Sequence, residues 1–253
     1  MFHEKVEEEY IVTQMGTSEG TQIKYKKGDY WYKKDSRGKE GLAEYLVSKL
    51  LTFSDIESAG YVLYEPGYIN DIPGCRSKNF LQEGEELVTV YRLYYNEFGK
   101  DLSQVLAGLG FMEERIEYVL RFIKQSCNLD MRDYLKRVIM LDMLVLNEDR
   151  HLNNLAVIFK EDHFVCAPIF DNGVSLLTAN QSVNWNFSIE ENVKRVIARP
   201  FCGSHERMYE YLGDGFSLDC QAVHKWLNTE PQSKEKEVLE YQLQRYEKKG
   251  ILM

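Results

Sequence analysis

The chain has 253 residues, of which 44% are hydrophobic, and it carries a net charge of −9. This length allows one large domain or two small ones with a sizeable core, and the composition is that of a globular protein. The acidic balance disfavours a broad surface for direct nucleic-acid binding, so a polyanion held by this chain requires a local basic pocket or a divalent metal.

Cysteine use and hydropathy indicate the compartment. The five cysteines are scattered and form no CxxC pair, which favours free thiols in a reducing compartment over disulfides or a zinc site. The first ten residues, MFHEKVEEEY, lack the apolar segment of a signal peptide. No apolar run approaches the roughly 18–20 residues of a membrane helix. We therefore predict a cytoplasmic protein without a membrane partner.

The front of the chain is predicted to be rich in strands. Residues 8–16 and 21–35 combine β-branched and aromatic residues with the turn signals TSEG and KKGD. Residues 39–53 then carry an apolar stripe with helical spacing. Residues 58–69 and 75–82 return to strand character, and the polar stretch EGEEL at 83–87 is a plausible joint.

The back of the chain is predicted to be mostly helical. Helices are expected at 102–110, 112–127 and 131–147, and four more at 188–198, 204–212, 217–227 and 232–248. Between these groups, LAVIF and FVCAPIF predict a short hairpin with KEDH as its turn. A β-rich front and a helical back predict an α+β fold with two lobes, an N-lobe at 1–85 and a C-lobe at 86–253.

The polar segment NEDRHLNN, at residues 147–154, interrupts the apolar sequence between a predicted helix and the predicted hairpin. Asp149 and Asn154 follow a long apolar helix and precede a strand, and Asp171 ends another strand in FDNG, where Gly173 allows a bend. Phosphoryl transfer needs this set: one Asp orients the attacking hydroxyl, while an Asn and a second Asp hold Mg²⁺ on the nucleotide. Oxygen ligands suit this metal.

A glycine-bounded turn is also expected, because backbone N–H groups can cover phosphates. MGTSEGTQ at 15–22 offers Gly16 and Gly20 with the hydroxyls of Thr17, Ser18 and Thr21. A plain hairpin turn is the alternative interpretation of this segment.

A lysine and a glutamate should follow the turn. The strand DYWYKKD offers Lys33 or Lys34, and strand alternation lets only one of them face inward. The helix offers Glu44 to hold that lysine, with Glu40 as the second choice. The parts therefore occur in kinase order: glycine turn, Lys, Glu, then Asp, Asn and Asp.

At these residues the sequence resembles a known family. NEDRHLNN resembles the N-x-D-R-H-x-x-N segment of HipA-like serine/threonine kinases, in their compact CtkA- and HipT-like branch, and APIFDNG resembles their metal-binding segment. RPF at 199–201 is similar to a C-terminal feature of that branch. The D-R-H-x-x-N pattern occurs more loosely in phosphatidylinositol 3/4-kinases. The chain departs from protein kinases in general by having D-N-G where they have D-F-G.

The resemblance implies a two-lobed protein-kinase-like fold and an ATP- and Mg²⁺-dependent protein serine/threonine kinase. It implies that Asp149 is the catalytic Asp, that Asn154 and Asp171 bind the metal, and that Lys33 binds the nucleotide. Arg150 and His151 are assigned to shaping the loop, and the lipid-kinase likeness adds a role in proton transfer for His151.

The resemblance also implies regulation and partners. Members of the family often phosphorylate a Ser in the glycine-rich turn, which makes Ser18 a candidate for autophosphorylation, with Thr17 and Thr21 as the alternatives. A protein substrate is expected, and the family allows an antitoxin-like partner. Two other functions stay open: a phosphoinositide-type lipid kinase, and a catalytically weak nucleotide-binding interaction module.

Overall fold

The computed structural model describes residues 1–12 and 23–252. In this part of the chain, the strands before residue 79 form one five-stranded sheet in the order β1-β4-β5-β3-β2. These strands are β1 (Phe2–Glu4), β2 (Lys24–Lys27), β3 (Tyr30–Lys34), β4 (Tyr64–Ile69) and β5 (Ile72–Lys78). Strands β1 and β4 are parallel, and the other neighbouring pairs are antiparallel.

The hairpin of β2 and β3 sets two lysines side by side. Gly28 adopts a positive φ of 57° in its turn, which a glycine tolerates without strain. Lys24 lies directly opposite Lys33 in the antiparallel register, and Tyr25 lies opposite Tyr32. Because neighbouring residues of a strand point to opposite faces, the two lysines share one face and the two tyrosines share the other.

The strand predicted at residues 8–16 is wrong at its beginning. Residues Glu8–Tyr10 form a 3-10 turn, and Ile11 makes an isolated bridge to Tyr25. The acidic run at 7–9 has low strand propensity, which is the physical reason for the turn. Residues 13–22, which include the glycine turn predicted at 15–22, lie outside the described residues. The short strand β1 was not predicted from the sequence.

Helix α1 (Glu40–Leu51) packs closely on the sheet. A Cβ on Gly41 would lie 2.5 Å from the backbone of Gly74 in β5, so only glycine permits this approach. Before the helix, the Glu40 carboxylate accepts hydrogen bonds from the backbone N–H groups of Ser36, Arg37 and Gly38. Glu40 therefore fixes the loop that leads from β3 into the helix.

The rest of the described chain is mainly helical and contains one three-stranded antiparallel sheet. Its strands are β6 (Glu86–Thr89), β7 (Ala156–Lys160) and β8 (His163–Cys166), in the order β6-β7-β8. The helices are α2 (Val90–Phe98), α3 (Leu102–Ala107), α4 (Met112–Cys127), α5 (Arg132–Val145), α6 (Ile189–Val193), α7 (His205–Leu212), α8 (Cys220–Leu227) and α9 (Lys234–Lys248). Helix α5 is buried along most of its length and contacts α7 and α9.

Some of the helices and strands predicted for the back of the chain agree with the structure, and others do not. The predicted hairpin is present as β7 and β8. The predicted joint at 83–87 partly enters strand β6, and helix α2 was not predicted. Helix α6 ends at Val193, well before the predicted end at residue 198, and the chain continues there as a loop held by side-chain hydrogen bonds.

The predicted α+β class, with a β-rich front and a helical back, is confirmed by this arrangement. Within residues 1–12 and 23–252, no helix is long and apolar enough to cross a membrane. The lobe boundary between residues 85 and 86 stays a prediction.

Candidate functional site

Three of the predicted site residues meet between the sheet and the loop that follows β8. The Nζ atom of Lys33 on β3 lies 2.6 Å from Oε1 of Glu44 on α1 and 2.8 Å from Oδ1 of Asp171. Oε2 of Glu44 accepts a hydrogen bond of 2.8 Å from the backbone N–H of Asn172. Elements far apart in sequence thus place one amine between two carboxylates.

Burial and charge act together on the ionisation of this cluster. Burial disfavours the charged amine of Lys33, but the carboxylates of Asp171 and Glu44 outweigh it and raise the lysine pKa well above its usual range. Burial also opposes ionisation of Asp171, yet Lys24 and Lys33 lower the pKa of this carboxyl below its ordinary value. For Glu44 burial dominates and raises the pKa, although Lys33 opposes it.

Lys24 is a member of the cluster that sequence reasoning missed. Its Nζ lies 3.2 Å from Oδ2 of Asp171, so both carboxylate oxygens of Asp171 face an amine. The signal that could have found it is the antiparallel register, because the hairpin turn KKGD places Lys24 opposite Lys33.

The two neighbouring lysines of β3 lie on opposite faces of the sheet, and the two glutamates of α1 have different partners. Lys33 faces Glu44, whereas the Nζ of Lys34 lies 2.7 Å from the hydroxyl of Tyr25 on the other face of the sheet. Glu40, the second choice for the lysine partner, is engaged with the loop before α1. Gly16, Ser18 and Gly20 of the predicted turn lie outside the described residues.

Asp149, His151 and Asn154 line one small cavity together with Lys24 and Asp171. The loop that carries them is tightly bonded internally. The backbone N–H of Asp149 donates to Oδ1 of Asn147 at 2.9 Å, and Nδ2 of Asn154 donates to the carbonyl of Asp149 at 3.1 Å. The Asp149 carboxylate remains about one third exposed, so an incoming group can reach it.

Arg150 holds the loop to the segment that carries Asp171. Its side chain is fully buried, and its guanidinium makes a two-point ion pair with Asp142 of α5 at 2.9 and 3.0 Å. It also donates to the carbonyl of Phe170 at 2.8 Å and to Oδ1 of Asn172 at 2.6 Å. The loop-shaping role predicted for Arg150 agrees with these contacts.

The backbone bend near Asp171 differs from the expectation. The left-handed residue is Asp171 itself, with φ of 60°, whereas the bend was predicted at Gly173. Gly173 instead lies against α1, where a Cβ would lie 3.3 Å from the Cβ of Glu40. A non-glycine residue at positive φ is held by its surroundings, here the ion pairs of Asp171 with two lysines.

The donor set fits a magnesium ion. Oδ1 of Asn154 is buried and finds no hydrogen-bond donor within residues 1–12 and 23–252. An amide oxygen left without a donor is costly unless a ligand satisfies it, and the bond from Nδ2 to Asp149 already orients it. The same part of the chain contains no cluster of three His, Cys, Asp or Glu side chains able to hold a metal. If Asn154 and Asp171 bound Mg²⁺, its other coordination positions would be open to phosphate and water oxygens, which are ligands that Mg²⁺ prefers.

An apolar cleft of about 120 Å³ opens beside Lys33. The ring of Tyr64 lies under the lysine amine at 5.0 Å. The cleft is lined by apolar and aromatic side chains from both sheets and from the segment before Asp171, chiefly Tyr64, Phe80, Leu81, Leu87 and Phe170. Sequence reasoning missed this cleft, because its walls come from segments that are adjacent only in the folded chain.

Similar proteins are found among solved structures and not in the other two comparisons. No protein-family model matches the sequence, and the search of curated proteins gives no match. Among solved structures, the chain is similar to the proinflammatory kinase CtkA of Helicobacter pylori, with a TM-score of 0.60 and 16% identity over 94% of this chain and 90% of that one. It is also similar to HipA, solved with HipB and operator DNA as a toxin–antitoxin system of Shewanella oneidensis MR-1, with a TM-score of 0.50 and 12% identity over 96% of this chain and 67% of that one.

At these identities the likeness shows the fold. The predicted two-lobed kinase-like fold is confirmed, and the resemblance to HipA-like kinases seen in the sequence is confirmed at the level of the fold.

Proposed function

We propose that this chain is an ATP- and Mg²⁺-dependent protein serine/threonine kinase of the HipA-like type. The observation that carries the proposal is the position of Asp171, which pairs with Lys33 beside Glu44 and also lines a small cavity with Asp149 and Asn154. These residues come from four separate segments, and their chemistry is the set that phosphoryl transfer requires.

The nucleotide would occupy the cleft beside Lys33. The apolar walls formed by Tyr64, Phe80 and Leu87 suit a flat base, because such sites combine apolar surface with few polar groups. Lys33, held in place by Glu44, would bind phosphate oxygens, and the positive charge of Lys24 adds to this side of the cleft.

The acceptor hydroxyl would bind at Asp149. Its carboxylate would orient the hydroxyl and accept its proton, and His151 in the same cavity is the second candidate for moving that proton. Asn154 and Asp171 would hold Mg²⁺, which when bound neutralises charge on the transferred phosphoryl group. The buried hydrogen bonds of Arg150 to Phe170 and Asn172 would hold the catalytic loop and the Asp171 segment in fixed positions relative to each other.

The first test separates chemistry from binding. Asp149→Ala should keep Mg·ATP affinity in calorimetry and lose phosphate transfer by about a hundredfold or more. Asp133→Ala, which removes an exposed carboxylate on α5, is the matched control and should behave like the unmodified chain. Transfer by Asp149→Ala at the unmodified rate contradicts the assigned role.

The acceptor class is tested in the same assay. Protein acceptors and inositol-lipid vesicles are offered side by side with labelled ATP, and transfer to lipid alone would replace the proposal with the lipid-kinase alternative. Label on the chain itself, located by mass spectrometry at Ser18, would support autophosphorylation. A phosphate there adds about −1.5 to −2 charge and should repel ATP.

An antitoxin-like partner stays a prediction, supported by the setting of the HipA structure.

A further inference from the structure

The loop between β8 and α7 contains a surface that the proposed chemistry does not use. Residues 180–199, which we term the platform, carry three large apolar side chains that are substantially exposed. Trp185 is 44% exposed, Phe187 is 41% exposed and Ile197 is 66% exposed. Of these three, Ile197 has its backbone bonded to Glu148, next to Asp149, so its exposed side chain can contribute to an interaction surface there.

The platform is an ordered structure and not a loose loop. The fully buried side chain of Asn192 donates to the carbonyls of Asn184 and Ser188 at 3.0 and 3.1 Å and accepts from the backbone N–H of Asn184 at 2.9 Å. Ser188 and Glu191 form a reciprocal cap at the start of α6. The exposed side chains are therefore presented by a backbone that is already organised, which lowers the entropy lost on binding.

The platform is attached directly to the catalytic loop. Glu148, the neighbour of Asp149, accepts two hydrogen bonds from Nδ2 of Asn180, at 2.8 and 2.7 Å, and one from the backbone N–H of Ile197 at 3.3 Å. Burial raises the pKa of Glu148 above its ordinary value, and these donors oppose the shift. These contacts fix the position of the platform relative to Asp149.

One arginine of the platform, Arg199, lies beside Asp149. Nη1 of Arg199 lies 3.7 Å from Oδ1 of Asp149, and its side chain is 57% exposed. The guanidinium of Arg195 lies 4.7 Å from the ring centre of Phe187 and donates to the carbonyl of Ser182. An arginine is thus held at the point where an acceptor hydroxyl must arrive.

We propose that the platform binds the acceptor segment of the protein substrate and selects segments with an acidic residue next to the phosphorylated Ser or Thr and an apolar residue nearby. This inference rests on the proposed kinase function. When the acceptor hydroxyl lies at Asp149, a carboxylate one or two residues away falls within reach of Arg199, because an extended chain spans about 3.3–3.6 Å per residue. Ile197, two residues before Arg199, offers the apolar contact.

The experiment measures kcat/KM for four peptides that share one Ser acceptor. They carry Glu, Gln or Lys beside the acceptor with a Phe nearby, and the fourth carries Glu with Ala in place of that Phe. The unmodified chain should prefer Glu over Lys by about tenfold, since an exposed ion pair and its like-charge counterpart each contribute up to about fivefold. It should prefer the peptide with Phe over the peptide with Ala by about threefold or more.

Variants assign each preference to its residue. Arg199→Gln should remove the preference for Glu, and Arg199→Glu should reverse it in favour of Lys. Ile197→Ser should remove the preference for Phe while keeping that for Glu. The control Arg121→Gln, which removes an exposed arginine on α4, should keep both. Each variant should bind Mg·ATP with unchanged affinity, which a general structural defect would not allow.

Two results overturn the inference. Equal kcat/KM for the Glu and Lys peptides in the unmodified chain, or an unreversed preference in Arg199→Glu with intact Mg·ATP binding, shows that Arg199 does not read the substrate. Intact Mg·ATP binding with no transfer to any of the four peptides also counts against a peptide-binding platform, while nucleotide binding stands. A chain that does not bind Mg·ATP overturns the proposed function itself.

Discussion

Replacing Arg150 tests whether the buried ion pair organises the catalytic loop. Arg150 and Asp142 are both fully buried, and the guanidinium makes hydrogen bonds to Asp142, Asn172 and the carbonyls of Asn154 and Phe170. Arg150→Met keeps much of the side-chain length but removes every one of these donors. The Asp142 carboxylate is then left in the interior with the Nδ2 of Asn147 at 3.1 Å as its remaining described side-chain donor.

The expected loss is large, because one charge of a buried pair remains uncompensated. Breaking such a pair costs about 3–5 kcal/mol, whereas a partly exposed pair contributes about 1 kcal/mol or less. For a chain of this size, each 1 kcal/mol shifts the melting temperature by about 2–4 °C, so Arg150→Met should melt about 10 °C below the unmodified chain. Thermal unfolding followed by circular dichroism, with urea unfolding for the free energy, measures both quantities.

A double variant distinguishes the uncompensated charge from lost packing. Arg150→Met combined with Asp142→Asn should recover a substantial part of the loss, since the neutral amide can still bond to Asn147. Arg245→Met is the matched control, because its pair with Glu206 is partly exposed, and it should lose about 1 kcal/mol or less. A loss below about 1 kcal/mol in Arg150→Met, or no recovery in the double variant, refutes the reasoning.

Three further predictions address the cleft and its support. Lys33→Met should lower kcat/KM by about a hundredfold, whereas Lys34→Met on the opposite face should stay near the unmodified value; equal losses contradict the assignment. Asn154→Ala should raise the Mg²⁺ concentration for half-maximal transfer by about tenfold or more, and an unchanged titration excludes Asn154 as a ligand. Burial lowers the pKa of His205 below 6.5, so the folded chain keeps this side chain neutral. The neutral His205 side chain makes its full contribution to the free energy of unfolding above about pH 6.5. This contribution decreases as the pH falls toward the lowered pKa, by at most about 1.4 kcal/mol per pH unit. Melting temperatures between pH 7 and 5 should therefore fall less steeply in His205→Gln.

Local patterns in the sequence predicted most of the helices and strands and the order of the chemical groups. Strand alternation and the KKGD turn predicted the hairpin that carries Lys33, and apolar periodicity predicted helix α1 with Glu44. The polar residues at 147–154, between apolar segments, predicted a functional loop between the buried helix α5 and strand β7. These features depend on residues close in sequence, whose spacing fixes which face they share.

Packing between distant segments brings the chemical groups together. Lys24 joins the cluster through the hairpin register, and Arg150 becomes the buried link between two loops because α5 supplies Asp142 beneath it. Glu44 pairs with Lys33, whereas Glu40 is bonded to the loop before α1. Gly41 has no side chain to keep α1 away from β5. Distances between segments more than a hundred residues apart depend on packing of whole elements, and local sequence patterns carry no record of that packing.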